Sequence, residues 1–264
     1  MKSRGEIISL VPTMGNLHNG HLSLVKIAKQ NSSKVITTIF INPLQFGKDE
    51  DFASYPRTIN KDISKLKKLN CDVLFVPKSQ NEVFNNIDNL KHLKAGPKGS
   101  ILCGNFRPGH FDGVLKVVYT LFKLTYPDLS VFGLKDFQQL YLIKQMAKIY
   151  FPKLKIISAP TIRTKNGLAL SSRNSYLDKE SIKTAPLFYR TLLDGINNLN
   201  NSNNVEETIK YITANLEKNR FIVNYVSFLT TELEKLKLNT SERKILLSSV
   251  KLGQTRLIDN IEFN

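Results

Sequence analysis

Two histidines three residues apart, His18 and His21, stand in the segment PTMGNLHNGH (12–21), with Gly15 and Gly20 beside them. Glycine lets a backbone come close to a ligand. A helix starting near Gly20 would point unpaired N–H groups and a partial positive charge back at the loop. That combination favours phosphate. Each imidazole can donate hydrogen bonds to phosphate oxygens, and its charge can respond near neutral pH. The plainer reading is that one histidine caps the loop and the other is merely exposed. Zinc is the other chemistry open to H-x-x-H, but a zinc site wants three or four protein ligands. Only His92 and His110 remain, and no cysteine or carboxylate cluster accompanies the pair.

Further polar groups fall into a few short segments. VFGLKDFQQL (131–140) supplies Lys135, a compact charge with three donors, and Asp136, which can cap a helix or accept from a ribose hydroxyl. Gln138 and Gln139 are neighbours and cannot face the same way, so one of them can reach a cleft. Gln45 in NPLQF suits hydroxyl or carboxylate recognition, or is an ordinary turn residue. LALSSRNSYL (168–177) offers Ser171, Ser172 and Arg173, whose planar fork matches a polyphosphate, although Ser/Asn turn chemistry would read the same. NFRPGHF adds Arg107 and His110. No Ser-His-Asp order and no G-x-x-x-x-G-K-[ST] loop stands out.

The elements that must position these groups alternate. Strand-like runs at 6–11, 34–41, 72–77, 129–133 and 154–160 are separated by helix-like stretches at 21–30, 61–69, 111–124 and 136–150. This order implies right-handed βαβ crossovers and a mostly parallel sheet, an α/β Rossmann-like domain over 1–162. The tail reads as a smaller α+β domain over 163–264. Two helices (184–199 and 205–218) flank an Asn-rich connection, and strands follow at 221–229 and 242–259, the latter long enough to be a pair turning at Gly253. The polar clusters come directly after the first, second, fourth and fifth strands. In an open parallel sheet the ligand lies outside the carboxyl ends of the strands, so clusters distant in sequence are expected on one edge.

Composition narrows the class. With 264 residues, 41% of them hydrophobic, a sizeable core is within reach. No run approaches the roughly 18–20 apolar residues of a membrane span, and MKSRGEIISL lacks the pattern of a signal peptide. Two cysteines make neither a disulfide framework nor a zinc pattern, which suggests a reducing cytoplasm. The net charge of +16 leaves three readings open: scattered surface lysine, attraction of anionic substrates, or nucleic acid. The lysines are spread along the chain, not blocked together.

Seven segments in order, PTMGNLHNGH, FINPLQF, YPRT, RPGHF, KDFQQL, LALSSRN and RLIDN, resemble the pantothenate synthetase family over residues 11–260. H-x-G-H alone would point only to the wider nucleotidyl-transfer superfamily. The resemblance implies ATP-dependent condensation of pantoate with β-alanine through a pantoyl adenylate, releasing AMP and pyrophosphate, with Mg²⁺ on the ATP phosphates and no protein metal ligand assigned. It implies ATP along Met14, Gly15, Asn16, Leu17, His18, Asn19, Gly20, His21, Gly133, Leu134, Lys135, Asp136, Leu170, Ser171, Ser172 and Arg173, with Ile162 on the adenine side. Gln45 and Gln139 correspond to pantoate ligands, Gln45 also near β-alanine, and Asn42 to the same pocket. His21 corresponds to a proton donor, with His18 and Lys135 beside it in catalysis. A cytoplasmic homodimer whose C-terminal domain helps to cover the site is implied too, with no nucleic-acid or membrane partner.

Three departures from the family pattern stand out. Only MKSRGE precedes the first strand where the family has a helix, so either the start is truncated or that helix is dispensable. Leu134 and Cys103 each replace an acid. Two rivals remain: another small-molecule adenylyltransferase of the superfamily, and a basic RNA-binding protein on the same scaffold.

Overall fold

The computed structural model describes residues 5–84, 87–237 and 241–264. The chain divides into two compact units between Pro160 and Thr161.

In the first unit the elements run β1 (Ile8–Thr13), α1 (Asn19–Asn31), β2 (Lys34–Ile39), α2 (Ile59–Lys68), β3 (Val73–Phe75), α3 (Gln80–Val83), α4 (Cys103–Phe106), α5 (His110–Thr125), β4 (Leu129–Gly133), α6 (Phe137–Tyr150) and β5 (Lys155–Ala159). The sheet order is β3-β2-β1-β4-β5, and every pairing is parallel. The chain therefore winds outward from β1 in one direction and from β4 in the other. Right-handed crossovers then place the helices of the two halves on opposite faces. A crevice opens where the winding reverses, outside the carboxyl ends of β1 and β4.

Coverage of both faces explains why β1 and β2 are buried almost throughout. Leu24, Val25 and Ala28 of α1 pack with Val11, Val35, Val131 and Leu66. Phe122 of α5 meets Phe132 of β4 edge-on at 6.3 Å. The third strand is only three residues long, shorter than the apolar run 72–77 suggested.

The second unit holds α7 (Lys179–Thr184), α8 (Pro186–Ser202), α9 (Val205–Lys218), β6 (Phe221–Thr230), β7 (Lys244–Leu252) and β8 (Thr255–Phe263). Its three strands form an antiparallel sheet with β7 in the centre. Phe188, Leu192, Leu199, Ile212 and Leu216 from α8 and α9 pack on Phe228, Leu246, Val250 and Leu257. The helix expected from residue 184 begins at Pro186. A proline is favoured at a first helical position and breaks a helix interior, so the segment before it forms the separate α7. The last two strands turn at Gly253, whose φ of +56° favours glycine.

Candidate active site

His18 is the N-cap residue of α1, and its Nδ1 accepts from the backbone N–H of Gly20 at 3.1 Å. His21, one turn inside, returns the contact: its Nδ1 accepts from the N–H of His18 at 3.3 Å. Both caps need an unprotonated Nδ1, so both rings are held in the Nε2–H tautomer. The ring centroids lie 4.1 Å apart. Desolvation is the first cause that lowers both pKa values, His18 to about 4 and His21 to about 3. Lys135 and Lys65 push both the same way, and His18 further disfavours charge on His21. The histidines are therefore neutral donors at pH 7, not groups poised to change charge there. Burial among cations outweighs the ordinary near-neutral pKa of imidazole.

The loop before α1 is also satisfied internally. Asp62 of α2, fully buried, accepts from the N–H groups of Asn16 (2.9 Å) and Leu17 (2.8 Å). The N–H groups of Asn16, Leu17, His18 and Gly20 are thus all engaged within the protein. Fewer free backbone donors remain at this edge than the loop's glycines suggested; the two Nε2–H groups, Lys135 and the positive end of α1 are the groups there that could meet an anion. Leu17 itself lies in the core, and Asn19 is exposed. Gly15 has φ +82° and lies against Ile39 and Asp62, so no side chain fits there without strain.

The second cluster meets the first directly. Gln45 Nε2 donates to Met14 Sδ at 3.0 Å, and its Oε1 accepts from Asn42 Nδ2 at 3.1 Å. Asn42 is almost fully buried and also donates to Gly113 O and accepts from Leu44 N–H. Its amide is consumed in shaping the turn Pro43–Gln45, so it orients Gln45 instead of reaching out. Arg107 pairs with Glu50 through Nε and Nη2 and donates from Nη1 to His110 Nε2 at 2.8 Å. An arginine only donates, so His110 carries its proton on Nδ1 and donates it to Gln45 O at 2.8 Å. The backbone of Gln45 is thus held from one side and its amide from the other.

At the end of β4, Lys135 and Asp136 lie in a 3₁₀ turn, 3.8 Å apart, with Asp136 the more exposed. Asp136 sits at the N-cap of α6 but makes no side-chain cap. The charge of Lys135 is felt by both histidines and that of Asp136 by His18. The ambiguity between Gln138 and Gln139 resolves cleanly. Gln138 is buried, donating to Lys98 O and Ile101 O and accepting from Cys103 N–H. Gln139 stays partly exposed, and its amide makes no hydrogen bond among the described residues.

Ile162, Leu170, Ser171, Ser172 and Arg173 belong to the second unit. There Leu170 N–H donates to Ile162 O, and Ser171 Oγ caps the 3₁₀ turn Ser172–Tyr176 by accepting from Arg173 N–H at 3.2 Å. Arg163 anchors this loop, forming a bidentate pair with buried Asp259 and stacking 3.5 Å over the ring of Tyr189. Among the described residues no three His, Cys, Asp or Glu side chains gather as a metal site.

The sequence pattern of the family described as Pantoate-beta-alanine ligase matches residues 1–262. The chain belongs to the pantoate–β-alanine ligase family. It is 42% identical to the pantothenate synthetase of Psychrobacter cryohalolentis over 257 residues, 96% of this chain and 89% of that one. Identity to the Ruthia magnifica enzyme is 43% over 261 residues, 99% and 92% of the two chains. The crystal structure of pantothenate synthetase from Thermus thermophilus superposes with a TM-score of 0.88 at 36% identity, over 97% of this chain and 93% of that one. The ligase from Francisella tularensis, solved with β-γ ATP and β-alanine, gives 0.81 at 37% identity, covering 98% and 90%.

Sequence reasoning singled out YPRT in this ligase without giving it a role. Arg57 closes the segment before α2 on Phe52, Ala53 and Tyr55 carbonyls, and Thr58 donates to Asp62 at 3.0 Å. Asp259 likewise lies in RLIDN, quoted without a role, whereas Asp62, Lys65 and Glu50 were missed. Each of these three works through a partner 45 to 57 residues away, which no local pattern reveals.

Proposed function

We propose that this ligase condenses (R)-pantoate with β-alanine, using ATP and passing through a pantoyl adenylate. The family pattern across residues 1–262 carries this reading. A carboxylate oxygen of pantoate attacks the α-phosphorus, and the bond to the β-phosphate oxygen breaks. Negative charge grows on the departing pyrophosphate. The Nε2–H groups of His18 and His21 and the ammonium of Lys135 are suited to stabilise it, since they are already oriented before the reaction begins. The neutral amine of β-alanine then attacks the acyl carbon, the carbon–oxygen bond to AMP breaks, and the amine gives up its proton. His21, neutral in the free protein, takes part as a hydrogen-bond donor.

Gln45 and Gln139 are assigned to pantoate, with Asn42 orienting Gln45. Ile162, Leu170, Ser171, Ser172 and Arg173 are assigned to ATP on their motif. A magnesium ion fits this set only as one carried by the nucleotide. Such ions keep several waters and one or two carboxylates; Asp136 is an accessible carboxylate, whereas Asp62 is spent on backbone. When bound, the ion would neutralise phosphate charge. The family resemblance also supports a homodimer working in the cytoplasm.

Product analysis tests the reaction. AMP, pyrophosphate and an amide should form in equal amounts only when pantoate and β-alanine are both present. A stable adenylylated product would place the protein with the adenylyltransferases instead.

A further inference from the structure

The loop that carries both histidines does not hold its own shape. Asn16 sits at φ +48°, a left-handed conformation that costs energy for a side-chain-bearing residue. Two residues later the chain must present His18 as a cap with Nδ1 inward. Two residues of α2 grip this strained stretch, and the helix's N-cap residue braces one of them. Asp62 takes the N–H groups of Asn16 and Leu17 on its two oxygens. Thr58, one turn earlier, donates to the same carboxylate at 3.0 Å. Lys65, one turn later, donates from Nζ to Leu17 O at 2.5 Å. Positions i, i+4 and i+7 share a helix face, so a single stripe of α2 holds both polar sides of the Leu17 residue. The peptide oxygen it grips lies immediately before His18.

A buried carboxylate at an anion-binding edge looks misplaced, because it repels the phosphates the site must attract. Its siting is explained if its work is on the backbone: two short charge-assisted bonds fix the loop. Lys65 adds to the lowering of the pKa of both imidazoles, keeping Nδ1 available for the caps.

We propose that Asp62 and Lys65 are positioning residues for adenylylation, clamping the Asn16–Leu17 peptides so that the Nε2–H groups of His18 and His21 are aimed at the phosphates. This rests on the reaction proposed above. The clamp acts through the two histidines, which the proposed reaction assigns to the departing pyrophosphate, so its effect falls on the first half-reaction. Misplacement of reacting groups by about 1 Å costs on the order of 10²-fold.

The test uses the full-length protein. Pantoate-dependent exchange of labelled pyrophosphate into ATP reports the first half-reaction alone. Asp62→Asn keeps the shape but turns an amide nitrogen toward a backbone N–H. Its exchange kcat should fall about 10²-fold, with the KM for pantoate changed less than about threefold. Lys65→Met should lower exchange at least tenfold, and Lys65→Arg should restore most of it. In ¹⁵N NMR, wild type should show both imidazoles as Nε2–H tautomers, and Asp62→Asn a mixture.

Exchange within about threefold of wild type in both Asp62→Asn and Lys65→Met overturns the inference. So does an unchanged tautomer pattern in a folded Asp62→Asn. If Asp62→Asn does not fold, the Lys65 pair decides alone. If wild type shows no pantoate-dependent exchange, the proposed reaction falls, while the tautomer comparison still decides whether the clamp sets the histidines.

Discussion

The backbone N–H of His18 donates to Nδ1 of His21 while Nδ1 of His18 accepts from Gly20, so the pair caps its own helix with the inner nitrogens of both rings. The outer nitrogens are left as donors of fixed direction and zero charge. Capping and catalysis are therefore not rival explanations of these residues. The capping bonds decide which nitrogen carries the proton and which way it points.

Replacing His21 with alanine should cut turnover by ~10²-fold or more, the scale seen when one preorganised donor is removed. The circular dichroism spectrum should be retained. Steady-state kinetics with saturating substrates checks this, and wild-type turnover would remove His21 from the reaction.

Stability should depend on pH through the same pair. Both folded pKa values lie below the ordinary histidine value of 6.5. The unfolded chain therefore binds more protons in the window between about pH 6.5 and the folded values of about 4 and 3. Unfolding free energy should fall as pH drops below 6.5, by about 1.4 kcal/mol per pH unit per histidine once the unfolded form is fully protonated. Above about pH 7 the pair should contribute no slope. Urea midpoints from about pH 7.5 to 5 measure this, and a His18→Asn/His21→Asn double variant should show a shallower decline.

Gln45→Ala should weaken pantoate more than ATP, because the amide is held between Asn42 and Met14 while its backbone is tied to His110. Titration calorimetry with each substrate separates the two. Equal loss of both affinities would argue for a collapsed loop.

A related route to the same turn is Gly113→Ala. A Cβ there would run into the backbone carbonyl of Leu44. The turn must shift, and Asn42 loses its bond to Gly113 O. We expect a rise in the KM for pantoate larger than that for ATP, together with a lower melting temperature.

In the second unit, Asp259→Ala should destabilise strongly. It strands the Arg163 guanidinium beside a buried site, a change typically costing about 3–5 kcal/mol. A double change, Arg163→Met with Asp259→Leu, should cost less than Asp259→Ala alone. Chemical denaturation of the three proteins decides it, and equal stability of Asp259→Ala and wild type would refute the pair's role.

The sequence by itself determined much. Apolar runs of strand length between helix-period segments made a parallel sheet the economical reading. Motifs placed after strands pointed to one sheet edge, and their order pointed to the family. These signals are local, since each rests on spacing within a short segment. Only the tertiary structure decided the rest. It set the strand order β3-β2-β1-β4-β5, and so the crevice between the ends of β1 and β4. It showed Gln138 as an internal brace and Gln139 as the half-exposed partner. It turned Asn42 inward, and it revealed Asp62 beneath the histidine loop. It also held both imidazoles neutral, because burial among lysines is a sum over neighbours from separate parts of the chain. A residue type states what bonds a side chain can make; which of them it makes depends on what the fold brings within about three ångströms.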